Sequence, residues 1–172
     1  MILVTVGTHD KGFERLVRAA DEMALEFQEQ VVIQYGSSRY IPQHAINFRW
    51  ASSQEMERLT CAARIVITHA AAGSMISILL KKKPMVVVPR SSEYGESIDG
   101  HQKQLAKAIS GQGTAIQIDN PTPDALKLAL IQSVGLKASF NSNQQLILSL
   151  KNQLRDWDQS DRSWIRRIFG QA

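Results

Sequence analysis

The sequence predicts an α/β domain in which helices cover both faces of a parallel sheet, and three observations point to this fold class. Short apolar segments alternate with amphipathic segments along residues 1–134. Strands that alternate with helices at such intervals form parallel βαβ units. Several strand segments, residues 85–88 among them, are apolar at every position, which is typical of a sheet that is buried on both sides.

The predicted elements follow in order along the chain. The first strand, residues 2–6, is apolar and β-branched, and Gly7 ends it. A helix follows over residues 13–27, where apolar residues recur at spacings of three and four and so form one apolar face. Further strands are predicted at 31–35, 45–50, 65–68, 85–88 and 115–118, and further helices at 54–63, 73–80, 100–110 and after Pro121.

The C-terminal residues differ in character, so we predict two units: a Rossmann-like domain at 1–134 and a helical extension at 135–172. The extension carries two apolar stripes at helical spacing. Since a large exposed apolar patch is unusual on a monomer, the parent domain, a membrane surface or a partner protein should cover them. The first stripe consists of Leu146, Leu150, Leu154 and Trp157, and the second of Trp164, Ile165, Ile168 and Phe169.

Composition excludes several classes of protein. The 172 residues, 44% of them hydrophobic, suit one globular core, and the net charge is only +4. The only basic run is residues 81–83, so nucleic acid is not an expected partner. The single cysteine, Cys61, excludes an internal disulfide. Residues 1–6 show no leader pattern and no apolar run approaches the roughly 20 residues of a membrane span, so we expect a cytoplasmic protein.

Small and polar residues follow three of the strands, at the sheet edge where ligands of parallel α/β domains bind. The first group is Gly7, Thr8, His9 and Asp10. A glycine turn, a hydroxyl and the free amides of the next helix suit a phosphate. Helix caps use the same residue types, so Thr8 or Asp10 as a cap is an equal alternative. His9 is either a general base, since imidazole titrates near neutral pH, or an exposed cap residue.

The second group follows the strand at 65–68 and runs from His69 through three alanines to Gly73 and Ser74. These small side chains leave little bulk above the start of the next helix, so a diphosphate can approach the backbone and the positive end of the helix dipole. Ser74 offers one more hydrogen bond. Close packing of the helix on the sheet, with His69 bonded to backbone, is the alternative, although packing alone requires fewer small residues.

The third group lies between residues 90 and 104 and includes Glu93, Glu96, His101 and Gln102. Its polar side chains suit sugar hydroxyls, and a solvated loop is the alternative. The sequence contains no hydrolase elbow, zinc-protease motif or Walker lysine. Because no ligand set at metal spacing is present either, we expect neither a metal nor a cofactor.

Together these segments resemble the C-terminal, donor-binding domain of family 28 glycosyltransferases of the GT-B fold. The resemblance covers about residues 1–133. It is closest to the small subunits of two-component transferases, namely the catalytic subunit of the dolichol-linked N-acetylglucosaminyltransferase and bacterial exopolysaccharide subunits of the PssE kind. The opening Val-Gly-Thr-His favours the bacterial kind. The matching stretches are residues 1–9, 33–36, 67–74, 83–89 and 101–102.

The resemblance implies one half of a GT-B fold and an inverting transfer of a sugar from a UDP-sugar to a lipid-linked acceptor in polysaccharide biosynthesis. It also implies a membrane-anchored partner subunit, which binds the acceptor and recruits this chain to the inner face of the membrane. Residue by residue, it implies diphosphate contacts at Gly7, Thr8, Gly73 and Ser74, a loop shaped by His69, and a donor sugar facing His101 and Gln102.

One position departs from the family pattern. Many relatives carry a glutamate seven residues before the proline that is Pro84 here, and it holds the ribose hydroxyls. This chain has Ser77 there, and a hydroxyl makes only a weaker, non-ionic contact with a diol. Either another acid such as Glu93 serves the ribose, or the affinity for the donor is lower.

Two other functions remain open. A nucleotide-sugar epimerase or hydrolase remnant uses the same half-fold, although such enzymes normally carry both Rossmann halves in one chain. A non-catalytic, flavodoxin-like nucleotide-binding module is the second alternative. Binding of UDP separates the module from the enzymes, and sugar transfer that requires a partner separates the transferase from the remnant.

Overall fold

The computed structural model describes residues 1–96, 101–111 and 113–136 of the protein, without the side chains of His101, Gln102, Gln104 and Ala108. Residues 137–172, and with them the two apolar stripes of the predicted extension, lie outside the described residues. The strands are β1 (Ile2–Thr5), β2 (Val31–Gln34), β3 (Ile46–Phe48), β4 (Ile65–His69), β5 (Met85–Val88) and β6 (Ala115–Gln117). The helices are α1 (Glu14–Glu26), α2 (Ser53–Ala62), α3 (Ala72–Leu80), α4 (His101–Ser110) and α5 (Pro123–Gln132), with 3₁₀ turns at Ser92–Tyr94 and Ser133–Gly135.

The six strands form one parallel sheet in the order β3-β2-β1-β4-β5-β6. This confirms the predicted Rossmann-like fold, and the elements begin and end within a few residues of the predicted positions. The chain moves outward from β1 to β3 and then crosses to β4 on the other side of β1. In such a sheet the strand order reverses between β1 and β4, and ligands bind beyond the carboxyl ends of these two strands.

Helices cover both faces of the sheet, as predicted. Side chains alternate between the faces along each strand, so that Ile2 and Val4 join one core and Leu3 joins the other. The first core contains the buried residues of α1 and α5, and the second contains those of α2, α3 and α4. Among the described residues, no helix is both long enough and apolar enough to cross a bilayer.

The connection between β2 and β3 contains no helix, and a buried carboxylate holds it in place. Asp21, in the middle of α1, is fully buried. Its carboxylate accepts hydrogen bonds from the backbone amides of Gln43, His44 and Ala45 at 2.7 to 2.9 Å and from the Tyr40 hydroxyl at 2.7 Å. The hydrogen bonds of Asp21 therefore fix residues 40–45 against α1, although no helix packs there.

The first helix begins at Glu14, one residue from the predicted start, which makes the alternative of a cap at Thr8 or Asp10 wrong. α1 starts at Glu14, its N-cap position is Phe13, and no side chain caps it there. The Phe13 amide instead donates to Ser38 Oγ at 2.9 Å. Residues 7–12 consequently form a loop above the sheet edge, and the first turn of α1 is separate from Gly7 and Thr8.

Candidate functional site

The first two predicted groups meet at the carboxyl edge of the sheet. β1 and β4 are neighbours, with Thr5 paired to Thr68, so the loops that follow them leave the sheet side by side. The loop after β1 contains Gly7, Thr8 and His9, and the loop after β4 leads into α3. The sequence therefore predicted correctly which loops face each other at the point of strand-order reversal.

The loop after β1 is anchored by Gln34, a residue that sequence reasoning missed. Gln34 is 3% exposed and lies at the end of β2, next to β1. Its Oε1 accepts from the Thr5 hydroxyl at 2.8 Å and from the Gly7 amide at 3.1 Å, and its Nε2 donates to the Gly7 carbonyl at 3.0 Å. A glutamine that ends an apolar strand was the available signal, because a buried polar side chain needs partners.

Gly7 lies directly against His69, the last residue of β4. Gly7 has φ +75°, in the left-handed region that favours glycine. A Cβ at this position would lie 2.4 Å from His69 Cε1 and 2.5 Å from Nε2. The two loops can approach each other this closely only because residue 7 has no side chain.

His69 is a neutral, buried imidazole at neutral pH. Burial away from water, and secondly the nearby charge of Arg90, lower the pKa of His69 from 6.5 to about 4. The side chain is 5% exposed, and its Nδ1 is buried with no hydrogen-bond partner among the described residues. The alternative of a His69 bonded to backbone is confirmed for one nitrogen by the hydrogen bond with the Thr5 backbone, while Nδ1 is enclosed by the protein.

The N-terminus of α3 is open. Its N-cap residue is Ala71, no side chain caps the helix, and no acidic residue lies in the first turn. The first amides of a helix have no intrahelical partner, so those of Ala72, Gly73 and Ser74 are available. All three residues are half-buried. The arrangement offers several N–H donors and the positive end of a helix dipole, which together suit an anion.

The loop after β1 adds further donors opposite this helix end. The backbone amides of Thr8, His9 and Gly12 donate to no other described residue. Thr8 and His9 are exposed. His9 Nδ1 lies 2.8 Å from Asp10 Oδ1 and 3.0 Å from the Lys11 amide. These two contacts require opposite protonation of Nδ1, so they correspond to two tautomers of His9.

The third predicted group divides into an exposed part and a buried part. Glu93 lies in the 3₁₀ turn after β5 and is exposed. Glu96, for which the sequence left a sugar contact and a solvated loop open, is 5% exposed, and its carboxylate accepts from Arg15 Nε at 2.9 and 3.0 Å and from the Ser91 amide at 3.1 Å. Neither alternative holds for Glu96, because its oxygens are buried and already serve an internal ion pair.

The remaining predicted residues lie on two helices. Ser77 is half-buried in the second turn of α3, and its hydroxyl forms no hydrogen bond with the described residues. His101 and Gln102 form the start of α4, and their side chains lie outside the described part of the chain. Within that part, no cluster of three His, Cys, Asp or Glu side chains is arranged to hold a metal ion.

A groove on the described part of the protein lies elsewhere. It has a volume of about 630 Å³ and runs between β3 and α2, where Ile46, Phe48, Trp50 and Leu59 line it. It contains none of the predicted site residues. The candidate site is defined by the uncapped N-terminus of α3 and by the backbone amides of the exposed Thr8 and His9, which lie in the loop after β1.

Comparison with known proteins places the chain in a family. Residues 1–155 match the glycosyltransferase family 28 C-terminal domain. A relative from Clostridioides difficile (strain 630), the UDP-N-acetylglucosamine--N-acetylmuramyl-(pentapeptide) pyrophosphoryl-undecaprenol N-acetylglucosamine transferase, is 31% identical over 84 residues. That match covers 48% of this chain but only 20% of the relative.

Two solved structures share the fold. The solution structure of ALG13 has a TM-score of 0.55 at 19% identity, and the match covers 85% of this chain and 94% of that chain. The glycosyltransferase SsfS6 of Streptomyces sp. SF2575, complexed with thymidine diphosphate, has a TM-score of 0.57 at 16% identity, over 91% of this chain and 41% of that chain. The likeness to these structures shows the fold alone. The match to the family 28 domain, in contrast, is a match in sequence and spans residues 1–155 of the 172. The protein therefore belongs to the glycosyltransferase family 28 C-terminal domain family.

Proposed function

We propose that this protein is the catalytic, donor-binding subunit of an inverting glycosyltransferase that uses a UDP-sugar. The observation that carries the proposal is the uncapped N-terminus of α3, which lies beside the loop after β1 where the strand order reverses. Free amides from both loops and the helix dipole suit a diphosphate. They also stabilise the negative charge that develops on UDP as the sugar leaves.

The relatives support a nucleoside diphosphate as the ligand. The Clostridioides difficile enzyme is named for UDP-N-acetylglucosamine, and SsfS6 was solved with thymidine diphosphate. In this chain we assign the diphosphate to Gly7, Thr8, Gly73 and Ser74. His69, buried beneath both loops, shapes the site.

The sugar and ribose contacts are assigned to residues around this anion site. Ser77 on α3 takes the ribose position, with Glu93 as a second candidate. His101 and Gln102 at the start of α4 are assigned to the donor sugar. His9, exposed at the mouth of the first loop, is assigned as the general base, since a base must reach the acceptor hydroxyl.

The acceptor half is proposed to come from another polypeptide. The resemblance to two-component transferases supports a membrane-anchored subunit that binds a lipid-linked acceptor for polysaccharide synthesis. This chain would then act in the cytoplasm at the inner face of the membrane. We assign residues 1–134 to donor binding and residues 135–172 to an extension that reaches the partner. Deletion of residues 160–172 should then preserve UDP binding and abolish co-purification with the partner, and a deletion that leaves co-purification intact would contradict this assignment.

Calorimetry with UDP tests the donor site. Gly73→Val places a branched side chain where the diphosphate would meet the helix amides, so UDP affinity should fall at least tenfold in a folded protein. Ala62→Val, at the exposed end of α2 near the opposite sheet edge, is the matched control and should bind UDP normally. Equal affinities for the two variants would remove α3 from the site. A protein that binds no UDP, or that consumes a UDP-sugar without transferring it to an acceptor, would refute the transferase proposal.

A further inference from the structure

Arg90 is a buried guanidinium at the junction of two loops. It lies two residues after the end of β5 and is 2% exposed. Its Nη1 donates to the Lys11 and Gly12 carbonyls at 3.0 and 2.9 Å, and its Nη2 donates to the Val6 carbonyl at 3.0 Å. A side chain from the β5 end of the sheet thus holds both ends of the loop after β1.

The other side of Arg90 is fixed by the segment that follows β5. Arg90 Nη1 also lies 3.4 Å from the Glu96 carbonyl, while the Glu96 carboxylate is held by Arg15 and by the Ser91 amide. The guanidinium packs over the Phe13 ring, with its Cζ 4.8 Å from the ring centroid. These contacts prevent Arg90 from turning away, so its position determines where the carbonyls of Val6, Lys11 and Gly12 lie.

The direction of these carbonyls has a consequence for the amides of the same loop. In a planar trans peptide the C=O of one residue and the N–H of the next point in opposite directions. Because the Lys11 carbonyl points at Arg90, the Gly12 amide points away from it. Between the two anchored ends, the amides of Thr8 and His9 have no partner among the described residues. Arg90 thereby fixes both ends of the loop, Gln34 holds the Gly7 carbonyl between them, and the Thr8 and His9 amides remain as donors for a ligand.

We propose that Arg90 is a positioning residue for the donor diphosphate: it holds residues 6–12 in the conformation that exposes their amides beside the N-terminus of α3. The inference rests on the proposed function, because it takes the diphosphate as the ligand of this site. Arg90 lies outside the two small-residue loops. It should affect the affinity for the phosphates of the donor and leave the affinity for its nucleoside unchanged.

The test compares three variants with two ligands, UDP and uridine, by calorimetry and NMR titration. Arg90→Met should raise the Kd for UDP at least tenfold and change the Kd for uridine less than twofold, since uridine carries no phosphate. Arg90→Lys should recover part of the UDP affinity, because an ammonium keeps the charge but lacks the planar fork that serves three carbonyls. The matched control is Arg64→Met, which removes an arginine from its ion pair with Glu29 at the opposite edge of the sheet and contacts no residue from 6 to 12, so its Kd for UDP should change less than threefold.

Each outcome decides the inference. A folded Arg90→Met protein with UDP affinity within twofold of the unmodified protein would overturn it, and so would equal losses for UDP and uridine, which indicate a general structural role. If Arg90→Met does not fold, Arg90→Lys is tested instead. Its Kd for UDP should then rise more than its Kd for uridine, and equal changes in the two Kd values would overturn the inference. An unmodified protein that binds no UDP refutes the proposed function, and this inference with it.

Discussion

Gly7 and His69 are in direct contact across the carboxyl edge of the sheet, where a Cβ on residue 7 would lie 2.4 Å from the imidazole. The contact joins the ends of β1 and β4, the two strands between which the chain order reverses. The two loops of the proposed diphosphate site are therefore packed against each other through this contact.

Gly7→Ala should destabilise the protein more than a left-handed backbone alone explains. The left-handed region costs an L-residue about 1–2 kcal/mol, and the new methyl group also collides with His69. Gly113→Ala is the matched control, because Gly113 has φ +70° but nothing within 4 Å of its Cβ position. Urea unfolding should show the larger loss for Gly7→Ala. Equal losses would mean that the His69 contact contributes nothing.

The burial of His69 should make the free energy of unfolding fall as the pH falls from about 6.5 to 4. The folded pKa, about 4, lies below the ordinary value of 6.5, so the unfolded chain takes up the proton first and is favoured by acid. At full effect this loss is on the order of 3 kcal/mol. Urea titrations at several pH values should show a flatter profile for His69→Gln, which does not titrate. Parallel profiles for the two proteins would contradict a buried, neutral His69.

Asp21→Ala should lower the free energy of unfolding at pH 7 by about 3 kcal/mol, because it leaves three backbone amides and the Tyr40 hydroxyl without their charged, buried acceptor. Burial raises the pKa of Asp21, but its four hydrogen bonds outweigh burial and bring the pKa below 3.8. The stabilisation is therefore complete above the ordinary pKa and disappears as the pH falls below about 4. Glu22→Ala, exposed on the same helix, should change stability by less than about 0.5 kcal/mol. An Asp21→Ala protein as stable as Glu22→Ala would show that the connection to β3 holds without this anchor.

His9→Ala should reduce turnover of the assembled transferase at least a hundredfold, as expected for loss of a general base. A base needs a free Nε2, and the contact of Nδ1 with Asp10 is the one that leaves it free. Asp10→Ala should therefore also lower turnover, by a smaller factor, with UDP affinity unchanged. Near-normal turnover of His9→Ala would leave His9 as an exposed loop residue.

Sugar transfer should continue in the presence of a chelator. The open helix N-terminus and the loop amides supply the positive potential that a diphosphate requires. The measurement is the initial rate with and without excess EDTA, followed by addition of magnesium or manganese. A rate that disappears with EDTA and returns with either metal would contradict this prediction.

The sequence alone determined the order of the elements and the sheet edge at which the two loops of the candidate site meet. Apolar runs such as residues 85–88 and the spacing of three and four in α1 are local patterns, and local patterns specify strands and helices. Glycine after β1 and small residues after β4 likewise identify turns that leave the backbone accessible. These features predicted the parallel sheet and the two loops that the structure brings together.

Only the tertiary structure decided how those loops are held. Gln34, Asp21 and Arg90 act on residues that are distant in sequence, and their hydrogen bonds follow from strand order and packing rather than from any local pattern. For the same reason Glu96, an apparent surface acid in the sequence, is a buried partner of Arg15. A buried polar side chain is stable only where it has hydrogen-bond partners. For these residues the partners come from elements that are distant in the sequence and meet only when the chain folds.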